Sequence, residues 1–206
     1  NGAQRGEGTR PAIRQCGSMK MSVAVVGRRG EVLGVVRTLD APIFGFDVSV
    51  QKARTALAFS DPNNALGQQI RGVLGIPQGA PLAVSARAVG FLSQIHYPPA
   101  VEGSPPGPFG RDPNDPNSMT LQQQLSTTCA PSGNGITIFP GGLPLYKNGV
   151  LVGAIGVSGD GINQDEIVAE SGTVGFEAPA AIRTDTVDFQ GTTLPYLKEP
   201  RNPGRF

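Results

Sequence analysis

The sequence is poor in the residue types that metal and redox sites need. It has no tryptophan, one histidine (His96) and two cysteines, Cys16 and Cys129, in 206 residues. The cysteines lack CxxC spacing and do not make a metal site by themselves. The sequence leaves two alternatives open for them: two unpaired thiols, or one disulfide in an oxidising compartment.

Charge is also scarce, and long apolar runs are missing. Charged residues make up 16% of the chain, the net charge is +1, and no long Lys/Arg run occurs. We therefore expect no nucleic-acid partner and no anionic-membrane surface. No apolar run approaches the roughly 20 residues of a membrane span, so no spanning segment is expected.

Glycine and proline, by contrast, are abundant. The 29 glycines and 19 prolines predict many turns and irregular connections rather than long helices. They follow no fixed period, which excludes collagen and solenoid architectures. The length suits one well-buried core, and we expect a single domain over residues 1–206.

The first half of the chain predicts a hairpin followed by a helix. Residues 21–26 and 31–38 are β-branched runs separated by an Arg-Arg-Gly turn, and they predict antiparallel strands. Both runs are nearly all apolar, which favours a sheet covered by helices on at least one face. An apolar stripe with helical spacing follows, and the helix should end at residues 60–62. The stripe consists of Phe46, Val50, Ala53 and Leu57.

The middle of the chain gives a weak pattern. Residues 63–134 are predicted to be an irregular insertion, in which residues 86–95 fit either a strand or a short helix. Residues 103–117 form a loop rich in proline, glycine, aspartate and asparagine. A loop of this length in a compact domain is usually functional or packed against a partner.

Regular structure is predicted again from residue 136. Residues 136–139, 143–147 and 150–157 are predicted strands, and Asn-Gly at 148–149 between the last two is a strong hairpin signal. A helix is predicted from residue 164. Residues 173–206 are predicted to be an extended arm containing a short helix at 179–182 and a strand at 186–189.

Two blocks of this sequence resemble the GlcG/HbpS family. They are FPGGLPLYKNGVLVGAIGVSGDGINQDE at 139–166, and SVAVVGRRGEVLGVVRTLDAPIF with DVSVQKARTALAFS earlier in the chain. The resemblance implies an α+β fold in a three-layer, profilin-like arrangement with a mainly antiparallel sheet. It also implies oligomers and a haem, tetrapyrrole or corrinoid ligand. Family members usually carry an acidic residue after the first strand, where this chain has Gly27-Arg28-Arg29.

A loop before the predicted helix at 164 is the first candidate ligand site. Free backbone N–H groups at a helix start favour anions, so a carboxylate could bind there. The glycines of this loop are also explained by close packing of the backbone. The spacing matches neither a nucleophile elbow nor a dinucleotide fingerprint. The acids that follow are better explained as a helix start than as a cation site. The loop residues are Ser158, Gly159, Asp160 and Gly161.

Other charged side chains form a second hypothesis. Arg37 at a strand end and Lys52 on the helix could line a cleft with the Gly141-Gly142 turn, although internal salt bridges are the alternative for both. His96 is the candidate axial haem ligand, and a structural role is its alternative.

The sequence leaves three functions open. The first is a non-catalytic protein that binds haem, a related tetrapyrrole or a small anion. The second is an accessory subunit that docks on an enzyme or on copies of itself through its loop and arm. The third is an enzyme that acts on a small organic acid. The resemblance suggests a bacterial source, and the compartment, periplasm or cytoplasm, stays open.

Overall fold

A computed structural model of the chain describes residues 19–112, 114–115, 117 and 134–198. Cys16 and Cys129 lie outside these residues, so their pairing stays a prediction. The elements of the described part are β1 Ser22–Gly27, β2 Val32–Arg37, α1 Phe44–Ser60, α2 Ala65–Leu74, α3 Ala86–Leu92, β3 Gly142–Lys147, β4 Val150–Ser158 and α4 Ile162–Ser171, then 3-10 turns at Ala180–Ile182 and Thr184–Thr186, and the short strands β5 Asp188–Phe189 and β6 Thr192–Thr193.

Four strands make one antiparallel sheet in the order β2-β1-β4-β3. Both predicted hairpins form. In the second, Asn148 and Gly149 have φ angles of 51° and 78°, which is the left-handed pair that a two-residue hairpin turn requires. The mainly antiparallel sheet predicted from the sequence is therefore confirmed.

Helices cover both faces of this sheet. A Cβ at Gly156 of β4 would lie less than 3.0 Å from the Ser49 carbonyl of α1. The side chain of Ile155, the preceding residue, points the other way and reaches Gly172 at the end of α4. Because successive strand residues face opposite sides, α1 and α4 lie on opposite faces. The three-layer α+β arrangement is confirmed.

Helix α1 meets the sheet through small residues. Gly45, Ser49, Ala53 and Ala56 are buried along its inner side, at helical spacing. The predicted stripe is correct at three of its four positions, but Phe46 is exposed because Gly45 occupies the contact with the sheet. The helix ends at Ser60, and the backbone of Asp61 is extended, as expected for a residue that precedes proline.

The middle segment is more regular than its sequence pattern predicts. It contains α2 and α3, and residues 86–95 resolve as a helix over their first part. Each helix starts at a polar cap: the side chains of Asn64 and Ser85 accept bonds from Leu66 N–H and Ala88 N–H. Such caps satisfy the free donors of a first turn. The two helices pack in a second apolar cluster, to which the C-terminal end of α1 also contributes.

Two predicted strands differ from the structure. Residues 136–139 form no strand, because the Thr137 N–H donates to the Thr55 hydroxyl of α1 rather than to a neighbouring strand. The strand predicted at 186–189 is limited to β5, since Thr186 ends a 3-10 turn. The predicted arm packs on its own domain, with Leu194 and Tyr196 buried. None of the described helices is long and apolar enough to cross a bilayer.

Gly156→Ala should destabilise the fold by about 3 kcal/mol, because the new methyl group would collide with the backbone of α1. Urea unfolding measures this loss. Gly34→Ala on β2 is the matched control: a Cβ there meets nothing within 4 Å, and its stability should stay close to that of the wild type. Equal stability of the two variants would contradict the packing described here.

Candidate functional site

A buried ion pair lies where α1, α4 and the start of β3 meet. Lys52 Nζ is 2.7 Å from Asp165 Oδ2 and donates to the Val157 carbonyl at 2.9 Å. A Cβ at Gly141 would lie 2.9 Å from Asp165 Cβ, and one at Gly142 would collide with the Lys52 carbonyl. The structure thus brings Lys52, Gly141 and Gly142 together, but in a packed contact. Asp165 fills the space between them.

Burial opposes both charges of this pair. It lowers the pKa of Lys52, while the attraction of Asp165 raises it. Burial likewise raises the pKa of Asp165, and Lys52 opposes that shift. Asp165 Oδ1 has no hydrogen-bond partner among the described residues. Because each charge depends on the other for compensation, the pair joins α1 to α4 and leaves no exposed cation for a ligand.

The predicted anion loop is engaged with the chain itself. Asp160 Oδ2 accepts the backbone N–H of Lys20 at 2.9 Å. The backbone groups of Gly159 and Gly161 lower the pKa of the Asp165 carboxyl, so they favour the charged form of an internal acid. Ser158 is buried at the end of β4. An external anion at this loop stays a prediction, and it would compete with these contacts.

Arg37 lies apart from the Gly141-Gly142 turn. It ends β2, and its guanidinium donates to the Ala41 carbonyl at 2.8 and 3.2 Å. Strands β2 and β3 are the two edges of the sheet, three spacings or about 14 Å apart. The structure does not bring Arg37 into one site with Lys52, Gly141 and Gly142.

A cleft of about 460 Å³ lies outside all the predicted site residues. Helix α3, the segment before β3, the first residue of α4 and the C-terminal arm form its walls. Its lining is mostly apolar, with two cations and one amide: Arg87, Gly90, Phe91, Gln94, Pro99, Ile138, Phe139, Pro140, Ile162, Pro195 and Lys198.

The local sequence explains how this cleft is built. Gly90 has no side chain, so the backbone of Ile138 lies directly against α3. Arg87, Gly90 and Phe91 are three and four residues apart and share one face of α3. Pro140 and Ile162 flank the two glycine loops that the sequence predicts as sites. The cleft is therefore adjacent to those loops without including them.

One carboxylate holds three walls of the cleft together. Glu166 Oε2 is 2.6 Å from Arg87 Nε, and Glu166 Oε1 accepts the Lys198 backbone N–H at 2.8 Å. Arg87 Nη2 also donates to Asn163 Oδ1 at 3.2 Å, so Asn163 binds α3 and does not cap α4. The Lys198 ammonium is exposed and makes no ion pair within the described part of the chain. The cleft rim therefore carries a fixed guanidinium and an available ammonium.

His96 lies in the loop between Gln94 and Pro99 but does not itself line the cleft. Its Nδ1 is 2.8 Å from the Ser104 carbonyl. A carbonyl accepts only, so Nδ1 carries the proton and Nε2 keeps the lone pair. Among the described residues, no group of three His, Cys, Asp or Glu side chains is placed to hold a metal ion.

Sequence reasoning missed the cleft residues, although one signal was present. The helical alternative for residues 86–95 places Arg87, Phe91 and Gln94 on one face. The strand alternative distributes them over both faces, so the pattern alone could not select this group. Ile138 and Lys198 carry no local signal, because only the tertiary fold brings them to α3.

A family model described as "Haem degrading protein HbpS-like" matches residues 6–173. The chain belongs to the HbpS-like family. A curated Citrobacter freundii protein, an uncharacterized 15.0 kDa protein of the dhaT-dhaS intergenic region, is 53% identical over 36 residues. That match covers 18% of this chain and a quarter of the relative's length.

Solved structures resemble the HbpS-like chain more distantly. The crystal structure of Klebsiella pneumoniae protein ORFY is 22% identical, with a TM-score of 0.46 over 77% of this chain and 75% of that one. The PduOC:Heme complex is 17% identical, with a TM-score of 0.48 over 78% and 81%. Similarity at this level does not identify a ligand, so the ligand has to be inferred from the residues of this chain.

Lys52→Met should cost about 3–5 kcal/mol of unfolding free energy, because it leaves Asp165 charged and buried without a partner. The double variant Lys52→Met/Asp165→Leu should lose less than the single variant, since no charge stays buried. Thermal and urea unfolding of both variants measure the difference. A double variant that is less stable than Lys52→Met would contradict the assignment of Asp165 as the buried charge that Lys52 compensates.

Proposed function

We propose that this HbpS-like protein binds haem, or a related planar tetrapyrrole with carboxylate arms, in the cleft beside α3. The observation that carries the proposal is the composition of that cleft: apolar walls with a guanidinium and an ammonium at the rim. Its volume of about 460 Å³ falls in the range of small-molecule pockets. The family description, haem degrading protein HbpS-like, supports the same class of ligand.

The apolar part of the cleft suits a flat macrocycle. Phe139 and Ile162 are 56% and 47% exposed, although both are large apolar side chains in a concave surface. Covering them with a ligand removes that area from water, which is favourable. Phe91 and Ile138 are partly buried beneath the same surface. A planar apolar ligand would gain contacts here that a small hydrophilic acid would not.

The polar part suits carboxylates. Arg87 is oriented by Glu166 and Asn163 through Nε and Nη2, and its Nη1 has no partner among the described residues. Together with the Lys198 ammonium, it offers charge-assisted donors to propionate groups. Haem would supply an iron centre. His96 stays the sequence-based candidate for binding that iron, but it does not line the cleft, so the proposal does not rest on it.

We propose that the cleft binds its ligand without turnover. No carboxylate and no imidazole lines the cleft among the described residues. Two acids of α4 are held in ion pairs, Glu166 with Arg87 and Asp165 with Lys52. We therefore assign the residues of the cleft to binding and orienting a ligand; of the lining side chains, only the Lys198 ammonium carries a proton that it can readily give up.

Haemin titration followed at the Soret band tests the proposal. Lys198→Ala should weaken binding about 10-fold through loss of a charged hydrogen bond, and its backbone bond to Glu166 stays available. Arg29→Ala, which removes an exposed cation outside the cleft, is the matched control and should bind within twofold of the wild type. Saturable binding that is equal in the two variants would contradict the cleft as the site.

The same titration separates affinity from coordination. A shifted Soret maximum in the His96→Ala complex, with affinity retained, supports His96 as the axial ligand. An unchanged spectrum would show that His96 does not bind the iron, and the assignment of the cleft would stand. Steady bleaching of the bound Soret band with reductant and oxygen, faster than for free haemin, would contradict binding without turnover.

Ile162→Asp should abolish haemin binding, because it places a negative charge and less apolar area against the ligand. An acid at the first position of a helix is favourable for the helix, so α4 should stay folded. Ile162→Asn removes the same apolar area without the charge and should bind more tightly than the aspartate variant. Titration with circular dichroism as the folding control measures both. Equal affinities would show that the ligand's charge is not recognised.

A further inference from the structure

The two cations of the cleft lie at the same end of it. The Arg87 side chain and the Lys198 backbone contact the two oxygens of one carboxylate, because Glu166 Oε2 is 2.6 Å from Arg87 Nε and Glu166 Oε1 accepts the Lys198 N–H at 2.8 Å. Both residues line the cleft. The cationic donors for a ligand are therefore concentrated in one place, and we call Arg87 and Lys198 the charged end of the cleft.

The opposite end of the cleft lies further along α3. Arg87 is the second residue of this helix, and Phe91 follows it by four residues, which is about 6 Å along the helix axis. Gln94 and Pro99 belong to the loop that follows the helix, and both line the cleft. We call Phe91, Gln94 and Pro99 the far end of the cleft.

The far end offers a ligand no cation among the described residues that line it. Phe91 and Pro99 are apolar. Gln94 Nε2 donates to the Gly90 carbonyl at 2.8 Å, so this amide nitrogen is engaged with the backbone of α3. A carboxylate placed at the far end would lose water without gaining a charged partner, which is unfavourable.

We propose that the cleft selects tetrapyrroles whose carboxylates all lie on one edge of the macrocycle. Two propionates on neighbouring pyrroles can both reach the charged end while the opposite edge of the ring lies against the far end. When the propionates are on opposite pyrroles, only one of them can reach the charged end. The inference rests on the proposed function, since it concerns the same cleft, and it adds which tetrapyrroles that cleft accepts.

The arrangement of the carboxylates can be tested separately from their number. Mesoporphyrin IX carries its two propionates on neighbouring pyrroles, and a positional isomer carries them on opposite pyrroles. The two isomers have the same composition and the same charge, so neither apolar area nor general electrostatic attraction distinguishes them. A difference in affinity between the isomers therefore reports where the cations of the cleft lie.

Soret titration with the iron complexes of both isomers tests the proposal. The wild type should bind the neighbouring isomer at least about 10-fold more tightly, because the opposite isomer loses one charged hydrogen bond. Gln94→Lys places a cation at the far end and should tighten the binding of the opposite isomer about 10-fold. Gln94 is exposed and follows the end of α3, where a cation is favourable for the helix, so the fold should be retained, as circular dichroism checks.

Gln68→Lys is the matched control, since Gln68 is exposed on α2 and does not line the cleft. It should keep the wild-type preference between the isomers. Equal affinity of the wild type for the two isomers would overturn the inference and leave the proposed function standing. An unchanged preference in Gln94→Lys would overturn the inference as well. If the wild type binds neither isomer, the proposed function itself fails, and the inference fails with it.

Discussion

Helix α1 lies against β3 and β4 at a separation that glycine alone permits. At Gly142 and Gly156 a side chain would collide with the backbone of α1, and side chains at such contacts force backbone shifts. This close approach fixes the distance between Lys52 and the sheet. At that distance the Lys52 ammonium contacts Asp165 of α4. The position of α4, and everything that α4 holds, depends on that contact.

Two neighbouring acids on α4 then have separate roles. Asp165 is directed into the core and pairs with Lys52, whereas Glu166 faces α3 and holds Arg87 and the Lys198 backbone. The core and the cleft are thus joined through one turn of helix. Because the glycine-rich segment is occupied with this architecture, ligand chemistry is left to the neighbouring cleft, where apolar walls meet two cations.

The parts of the fold that sequence predicts are those determined by local pattern. The Asn148-Gly149 hairpin and the β1–β2 hairpin follow from turn chemistry and β-branched, apolar strand composition, and the α1 stripe is correct except at Phe46. The cleft could not be derived in this way, because its residues come from segments up to 111 positions apart, from Arg87 to Lys198. The predicted anion loop does precede a helix, but Asp160 accepts the Lys20 N–H and Ser158 is buried, so the loop is engaged with the chain itself.

The central claim, that a planar carboxylate ligand binds in the cleft beside α3, is tested most directly by where a ligand perturbs the backbone. Gallium protoporphyrin, a diamagnetic haem analogue, can be titrated into the ¹⁵N-labelled chain and followed by amide chemical shifts. We expect the largest shifts at Gly90, Phe91, Ile138 and Ile162. Shifts centred on the Gly159–Gly161 loop or on β2, with the amides of α3 unchanged, would contradict it.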